Sequence, residues 1–531
     1  MTDRTDSPSG SASSGEIESP PQSLGGILRH LGPGLIIAGS IVGSGELIAT
    51  TDTGAKAGFW LLWLIIIGCV IKVFVQVEFG RHAIVTGKTT LRALNGVPGP
   101  RLGRANWLLL YWFIMYLVIL GQQGGIVGGV GQAMALSWPV TSDGKRYNEI
   151  VDAETQLKVE ERYLQLFQER SAGVENYEQE LDTLQKKIAA TRTRVEQLGE
   201  KPAALYDDRI WATIIAVGTS VLLIFGRYGL IQALATVFVA LFTVITIVNL
   251  CLLQSDTTLA VTGGEVIDGL RFQLTPKEEA VARGVGMSPL VTALAAFGII
   301  GVGASELIAY PYWCVEKGYA RFTGTREETS AWAERARGWL RVMRWDVWCS
   351  MLVYTFATVA FYLLGAATLG RFHLDPEGTE MVRTLSVMFE PVFGVWANVL
   401  FLFGAVAVLY STFFLGAAAA GLMLTDCMRV FGVRMDRPGS RRRWIQTIRA
   451  TFPLVCLTVY LFVQAPKQLV LAGGVMQALM LPMLAVAALY FRYRQSDERL
   501  RPSRLWDILL WLSGFAMLIA GGTLFYLKVV G

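Results

Sequence analysis

Eleven apolar stretches divide this chain, and they constrain its fold more than any other feature. A helix of about 20 residues spans roughly 30 Å, which is the thickness of the hydrocarbon core of a bilayer. Hydrophobic residues make up 53% of the 531 positions and charged residues only 17%, against about a quarter in soluble domains. We therefore predict an all-α membrane protein with spans 1 to 11 at 33–54, 58–79, 107–136, 209–226, 229–254, 289–313, 344–369, 394–424, 450–467, 469–491 and 507–527.

Lysine and arginine concentrate in alternate loops between these spans. Loops rich in these residues stay in the cytoplasm, so the N-terminus is predicted to be cytoplasmic and the C-terminus outside, in the plasma (inner) membrane. Because the charge is confined to loops, the net charge of +5 does not indicate nucleic-acid binding. The basic loops lie at 81–104, 317–344, 429–449 and 492–504.

A hydrophilic insertion at 141–208 separates spans 3 and 4. Its second half has apolar residues at intervals of three and four, which is typical of a helix with one packed face. We predict an extracytoplasmic helical hairpin or short coiled coil that projects from the membrane. It is either a docking device for a protein partner or a self-packed decoration. The spaced residues are Leu181, Leu184, Ile188, Thr191, Val195 and Leu198.

The rest of the chain divides at the loops. Residues 1–24 are rich in Ser, Pro, Gly and Glu and predict a disordered cytoplasmic tail. The predicted units that follow are 25–140 (spans 1–3), 141–208 (the insertion), 209–288 (spans 4–5 and an external loop), 289–491 (spans 6–10) and 492–531 (span 11).

Spans 1 and 6 contain one motif twice. Five of its seven positions are identical, and five spans separate the copies, so the two halves of the chain enter the membrane from opposite sides, as in an inverted repeat. The copies read Gly43-Ser44-Gly45-Glu46-Leu47-Ile48-Ala49 and Gly303-Ala304-Ser305-Glu306-Leu307-Ile308-Ala309.

The composition of the motif favours interrupted helices. Glycine lets a membrane helix unwind where a cavity can satisfy the freed backbone groups, and the freed carbonyls can then bind a cation. A carboxylate at that depth costs on the order of 3 kcal/mol unless it is paired or hydrated, so a second copy is hard to explain by chance. The alternative is that Glu46 and Glu306 form ion pairs that only hold helices together. Lys72 is a candidate partner, unless it reaches toward the cytoplasmic surface.

We predict one polar cavity between the two breaks. Its substrate-binding residues are Gly43, Ser44, Glu46, Gly303, Ala304, Ser305 and Glu306. The metal ligands among them are Glu46, Glu306, Ser44 and Ser305, and the accessory positions are Lys72, Gln76, Tyr410 and Gln477.

These residues resemble the Nramp family of divalent-metal transporters, which have a LeuT-type fold of two inverted five-helix halves. The resemblance is dense over about 30–95 and patchy afterwards. It rests on Gly32-Pro33-Gly34-Leu35, on the run from Ala49 to Gly58 with Phe59 and Leu61-Leu62-Trp63, on Gln76, Thr86-Gly87, Gly131 to Leu136, Ser411-Thr412 and Leu481-Pro482.

The chain departs from the family at its metal motifs. The Asp-Pro-Gly-Asn of the family's helix 1 falls on 43–46, and the Met-Pro-His of its helix 6 falls on 305–307, so the thioether and imidazole ligands are missing. The acids of the family's helix 3 fall on Gly125 and Gly128, and its helix 10 glutamine falls on Gly474, with Gln477 nearby. Oxygen ligands without softer donors suit hard cations.

We therefore expect a secondary transporter or facilitator that moves a hard divalent cation such as Mg²⁺ or Mn²⁺ by alternating access, with proton exchange where two close carboxylates share a proton. It is not an enzyme, and no cofactor is expected, since the cation is the substrate. Two alternatives remain: a transporter of a small organic solute such as an amino acid, and a non-transporting sensor or scaffold.

Overall fold

The described residues of a computed structural model form one assembly of helices. These residues are 17–170, 177–202, 205–225, 228–276, 278, 289–435 and 437–529. The predicted tail at 1–24 lies outside them up to residue 16. From there the tail prediction is wrong, because the Glu18 backbone N–H donates to the Phe322 carbonyl, and the Trp339 indole donates to the Glu18 carbonyl.

Nine helices in the described part of the chain are long and apolar enough to cross a membrane. They are α4 (Leu62–Thr86), α6 (Trp107–Ser137), α9 (Asp207–Phe225), α10 (Tyr228–Leu253), α15 (Ser330–Leu364), α19 (Ala397–Val430), α20 (Ser440–Phe462), α21 (Pro466–Tyr490) and α22 (Arg504–Val529). They correspond to predicted spans 2–5 and 7–11.

Spans 1 and 6 are divided, as the motif predicts. Span 1 consists of α2 (Pro33–Ile41), a π-helical turn (Gly45–Thr50) and α3 (Thr51–Ala57). Span 6 consists of α12 (Pro289–Phe297) and α13 (Ala304–Lys317). Since neither forms one continuous long helix, the count of eleven spans stays a prediction.

Short elements complete the chain. They are α1 (Leu24–His30), α5 (Thr90–Asn95), the antiparallel pair β1 (Arg101–Leu102) and β2 (Ala105–Asn106), α11 (Gly263–Gly269), α14 (Tyr319–Thr323), α16 (Gly370–Phe372), α17 (Met381–Ser386) and α18 (Glu390–Phe393). Further π-helical turns occupy Gly365–Leu369 and Phe491–Gln495, and 3₁₀ turns occupy Gly378–Glu380, Val387–Phe389, Gly394–Trp396 and Glu498–Leu500.

The loops gather on two faces of the helix bundle. The loop before α15 meets the loop before α22, where the Arg499 guanidinium donates to the carbonyls of Thr329 and Glu327. We call this side the basic face. On the other side, the insertion meets the loops at 256–265 and 371–383, and we call it the insertion face.

The insertion consists of α7 (Ser142–Arg170) and α8 (Tyr177–Leu198). Ile188 and Thr191 of the spaced series on α8 are buried. Along α7, the Tyr147 hydroxyl donates to Glu380, and Arg170 pairs with Glu265 at 3.1 Å. The helix α7 therefore lies along the loops of the insertion face, whereas the sequence predicts a hairpin that projects.

Glycines on α6 allow close helix packing. A methyl group at Gly128 would overlap the Tyr460 ring, and one at Gly125 would lie 2.6 Å from the Pro466 carbonyl oxygen. These two positions therefore have no room for acidic side chains, because α20 and the start of α21 fill the space.

Candidate functional site

The first break places Glu46 in the protein interior. The helix α2 ends at Ile41, and Glu46 lies on the π-helical turn that follows, with no solvent exposure. Such turns are frequent at functional sites because they re-aim one side chain within a helix. Two hydroxyls of α19 satisfy carbonyls near the end of α2: Ser411 donates to Gly39, and Thr412 donates to Ser40 at 3.0 Å.

The Glu46 carboxylate connects the two breaks. Its Oε1 accepts a hydrogen bond from the Gly301 backbone N–H at 3.2 Å and lies 3.2 Å from the Thr358 hydroxyl oxygen. Its Oε2 is buried and has no hydrogen-bond partner among the described residues. A buried carboxylate oxygen without a hydrogen-bond partner is stabilised by a bound proton or a cation. Without either, the carboxylate would be a desolvated charge that nothing compensates.

The second break runs from residue 298 to residue 303. The helix α12 ends at Phe297, Gly301 has a positive φ of 55°, and α13 begins at Ala304. The Lys72 ammonium of α4 donates to the carbonyls of Phe297 and Ile300, at 2.7 and 2.5 Å. Lys72 therefore forms no salt bridge with any residue that the structure describes, and it does not reach toward a surface, which corrects both predictions made for it from the sequence.

Glu306 belongs to a cluster of oxygen atoms beside the break. Its Oε2 lies 2.9 Å from the Ser305 hydroxyl. The Gln477 amide oxygen accepts from the Ser305 backbone N–H at 2.9 Å and lies 2.8 Å from the same hydroxyl. The Gln477 amide nitrogen then donates to Gln122 of α6 at 2.8 Å. Helices α6, α13 and α21 therefore meet at one carboxylate, one hydroxyl and one amide oxygen.

A small cavity of about 40 Å³ adjoins this cluster. Ser40, Gln123, Ser305 and Glu306 supply the polar part of its lining, whereas Glu46 does not line it. The structure therefore does not bring the two glutamates into one cavity, contrary to the prediction. The Lys72 ammonium interacts electrostatically with both glutamates.

The remaining predicted residues have other contacts. The carbonyls of Gly43 and Gly303 already accept helical hydrogen bonds from Leu47 and Leu307. Ser44 and Ala304 are buried. Tyr410 packs on Phe414 and does not line the cavity.

Gln76 is fully buried, and both polar atoms of its amide have no hydrogen-bond partner in the described part of the chain. It lies one helical turn beyond Lys72 on α4.

The sequence did not single out Thr358, Thr412 or Gln122 as contributors. Polar residues in the middle of apolar spans are a general signal for such roles. Gln122 and Gln123 in span 3 and Thr358 in span 7 carry that signal.

The cavity lies next to a wider space on the basic face. A vestibule of about 1040 Å³ is lined by the start of α2, the end of α13 and the start of α20. Ile36 and Trp313 line both the vestibule and the cavity, so the two spaces meet at these side chains. The vestibule carries Lys317, Arg441 and Arg442.

Buried ion pairs lie on the opposite side. Asp52 of α3 lies 3.0 Å from the Lys467 ammonium of α21 and 3.1 Å from that of Lys56. Lys467 also contacts Asp375 and Glu377, in the loop that α7 covers. Asp52 is fully buried and Lys467 is 2% exposed. Buried ion pairs therefore fill the insertion face, whereas the vestibule lies on the basic face.

No group of three or more His, Cys, Asp or Glu side chains suited to a metal ion occurs within the described ranges. Oxygen donors of other kinds would have to complete any cation site here. The kind of protein that contains this pair of interrupted helices follows from its similarity to a known family. A model described as natural resistance-associated macrophage protein-like (Nramp) matches residues 205–527, which is more than half of the chain. The chain belongs to the Nramp family.

Individual relatives match this chain over a short segment only. The divalent metal cation transporter MntH of Mycobacterium tuberculosis (strain CDC 1551 / Oshkosh) is 32% identical over 106 residues, which is 20% of this chain and 23% of MntH. MntH of Mycobacterium bovis is also 32% identical over 106 residues, or 20% of this chain and 14% of that relative. The matches thus span about a quarter or less of these relatives.

Solved structures agree on the fold. A manganese transporter of Eremococcus coleocola, in complex with an aromatic bis-isothiourea compound, has a TM-score of 0.57 at 16% identity, with 96% of this chain and 89% of that chain covered. MhsT in complex with L-phenylalanine has a TM-score of 0.53 at 15% identity, with coverages of 96% and 99%. This Nramp protein is therefore a multi-pass membrane protein with a LeuT-type fold, and the family consists of transporters rather than enzymes.

The Nramp resemblance also identifies what differs at the site. Gln477, rather than the aligned position Gly474, contributes the amide of α21. Gly474 instead packs against the Ala295 carbonyl, where a side chain would overlap the backbone. The acids of the family's helix 3 are replaced at Gly125 and Gly128 by packing contacts. Because Gly125 and Gly128 have no acidic side chains, protons cannot move through acids at these two positions.

Proposed function

We propose that this protein is a secondary transporter of a hard divalent cation, and that the cation binds beside Glu306. The observation that carries the proposal is a cluster of three oxygen-bearing groups. The Ser305 hydroxyl lies 2.9 Å from the Glu306 carboxylate and 2.8 Å from the Gln477 amide oxygen. The cluster adjoins a cavity that shares Ile36 and Trp313 with the vestibule of the basic face. Membership in the Nramp family supports a metal cation as the cargo.

The donor types support a hard cation. Carboxylate, hydroxyl and amide oxygens suit Mg²⁺, Mn²⁺ or Ca²⁺, whereas softer ions favour thiolate, thioether or imidazole. The cavity of about 40 Å³ leaves room for a few water-sized groups. A Mg²⁺ ion that keeps part of its hydration shell would match this mixture of protein and water ligands.

Hydroxyl geometry supports a proton on each glutamate in the cation-free state. The Ser305 hydroxyl lies within 2.9 Å of both Glu306 and Gln477, yet it has one hydrogen to donate. The Thr358 hydroxyl likewise lies near Glu46 and donates to the Tyr354 carbonyl at 2.6 Å. A proton on each carboxyl would complete both sets of hydrogen bonds. Arrival of a cation would release the Glu306 proton, which gives a route for proton exchange.

In this proposal Glu46 has a positioning role. Its carboxyl group holds the Gly301 segment, and its second oxygen is available when the breaks rearrange. Gly43, Ser44, Gly303 and Ala304 shape the backbone around the site. A transport cycle would bring the two carboxyl groups together as the open side changes.

We place the basic face in the cytoplasm, with the N-terminus there and the C-terminus outside, in the plasma (inner) membrane. The arginine-rich loops support this orientation. The vestibule would then face the cytoplasm, and α7 and α8 would lie outside. A protein partner at the insertion stays a prediction.

Flux into proteoliposomes tests the proposal. Purified protein should carry Mg²⁺ or Mn²⁺ into vesicles loaded with a metal-sensitive dye, and a pH-sensitive dye should report proton counterflow. Absence of flux for Mg²⁺, Mn²⁺ and Ca²⁺ in vesicles with oriented, folded protein would refute it.

A small organic solute is the second candidate, because the vestibule carries Lys317, Arg441 and Arg442. Such a lining attracts anionic or zwitterionic molecules and repels free cations. A thermal-shift screen of amino acids and divalent metals separates the two candidates: saturable stabilisation by an amino acid, with none by metals, would favour the organic solute.

A further inference from the structure

Lys72 is a fully buried cation in the middle of the bundle. Its ammonium lies 2.7 Å from the Phe297 carbonyl oxygen and 2.5 Å from that of Ile300. It also lies 5.0 Å from the centroid of the Phe297 ring. A buried lysine without a salt bridge is rare, since a desolvated charge needs compensation. Here the compensation comes from main-chain oxygens and an aromatic face.

These carbonyls are at the negative end of an interrupted helix. The last carbonyls of a helix have no N–H partner four residues later, and the helix dipole adds partial negative charge there. Because α12 ends at Phe297 within the bundle, no bulk water replaces those partners. Freed carbonyls at such breaks are the usual ligands of cations in transporters with interrupted helices.

We propose that Lys72 occupies a monovalent-cation site, so that the protein carries its own cation at the second break. The two carbonyls and the Phe297 ring form the site, and its ligand class is a desolvated monovalent cation such as Na⁺, K⁺ or an alkylammonium ion. In the wild-type chain the tethered ammonium excludes exchangeable ions from this place.

The surrounding charges explain why a permanent cation belongs there. Glu46 on the π-helical turn and Glu306 on α13 both interact with the Lys72 charge, as does Cys69 one turn away on α4. Lys72 therefore offsets the negative charge that Glu306 gains when its proton leaves, and that of Glu46 whenever its carboxyl group is ionised. A tethered cation does this without depending on the ion composition of either compartment.

The proposal predicts a specific form of chemical rescue. In Lys72→Ala the deleted atoms are three carbons and the ammonium nitrogen, which n-propylammonium matches. In Lys72→Met a side chain of similar length without the ammonium remains, so n-propylammonium should no longer fit, whereas Na⁺ or K⁺ can still reach the carbonyls.

The experiment measures thermal unfolding of the purified full-length protein in detergent at constant ionic strength, with choline replaced stepwise by Na⁺, K⁺ or n-propylammonium. Lys72→Ala should unfold at lower temperature in choline, and n-propylammonium should raise its Tm saturably by at least about 2 °C. Lys72→Met should respond only to Na⁺ or K⁺. Wild-type protein and the control Lys88→Met, in the exposed segment just after the same helix, should respond to none of them.

Two results would overturn the proposal. One is a wild-type protein that Na⁺ or K⁺ stabilises saturably, and this result is available even if the variants do not fold. The other is a folded Lys72→Ala and Lys72→Met pair that ignores all three cations. Because the measurement needs no cargo, its failure is separate from failure of the proposed transport function.

Discussion

Glu46 of the first break accepts a hydrogen bond at 3.2 Å from the backbone N–H of Gly301 in the second break, 255 residues away. The two interrupted helices are thereby joined through one carboxyl group. Movement of either break changes the environment of that group, because the Gly301 N–H and the Thr358 hydroxyl approach it from different helices. The oxygen that has no partner is the one available to a new ligand.

Removal of the Glu306 charge should abolish cation transport. We expect Glu306→Gln to reduce Mg²⁺ or Mn²⁺ flux by at least about 10-fold, since loss of even an outer partner of a metal site lowers affinity by that amount. Radiotracer or dye flux in proteoliposomes measures it. Glu334→Gln, an exposed carboxylate on α15 that lines neither the cavity nor the vestibule, is the control. Wild-type flux in Glu306→Gln would contradict the assignment.

Replacement of Glu46 should separate hydrogen bonding from charge. Glu46→Leu leaves the buried Gly301 N–H without an acceptor, which costs about 1–3 kcal/mol, so the unfolding temperature should fall. Glu46→Gln keeps a carbonyl oxygen for that N–H and resembles a protonated glutamate, so its unfolding temperature should stay near that of the wild type. If Glu46→Gln is as unstable as Glu46→Leu, the carboxyl group is ionised in the cation-free state.

The ion pairs at the insertion face should control access from that side. Lys467→Met leaves Asp52 buried without its α21 partner, and breaking a buried pair from one side costs about 3–5 kcal/mol. We expect faster labelling of a cysteine introduced at Thr51 by a membrane-impermeant thiol reagent added on that face. Lys186→Met removes an exposed pair with Asp182 and should leave labelling unchanged. Equal labelling rates in the two variants would show that Lys467 does not hold this side closed.

The loop before α22 should give a pH-dependent contribution to stability. The side chain of Arg499 lowers the pKa of Asp497 from 3.8 to about 2 by hydrogen bonding, and the Arg499 backbone and the charge of Arg326 add to this. A lowered carboxyl pKa stabilises the folded protein above the unfolded value near 4, and this contribution is lost as the pH falls toward 2.

Asp497→Asn should therefore lower the Tm at pH 7, and the difference from wild type should shrink as the pH falls below 4. Thermal unfolding between pH 7 and pH 3 measures the effect. Glu498→Gln, which removes a neighbouring and more exposed carboxylate, is the control. A Tm difference that is independent of pH would show that the ion pair makes no contribution through the Asp497 charge.

Several features of the site were predictable from local sequence. The repeated motif located both breaks, because glycine and a buried acid within an apolar span are incompatible with an uninterrupted lipid-facing helix. The glycines of α6 are visible in the sequence, and Gly125 and Gly128 serve close packing against Pro466 and Tyr460.

Other features needed the assembled bundle. Lys72 was expected to form an ion pair or to extend toward a surface, yet it donates to two carbonyls of another helix. The insertion was expected to project, yet α7 lies along the loops of the insertion face through contacts such as that of Tyr147 with Glu380. Each contact joins residues more than 200 positions apart, so no local pattern encodes it.

The sequence by itself determined that this chain crosses a membrane in helices of bilayer length, that two of those helices break at related positions, and that each break carries a glutamate. Hydropathy, helix length and backbone freedom are local properties, so residues a few positions apart are sufficient to express them. Only the tertiary structure decided that Glu306 and Ser305 line a cavity, with Gln477 bonded to Ser305. It also decided that Glu46 contacts Gly301 and Thr358 instead. The direction of a buried side chain depends on how each helix is rotated and tilted against its neighbours, and packing of the whole bundle sets that geometry.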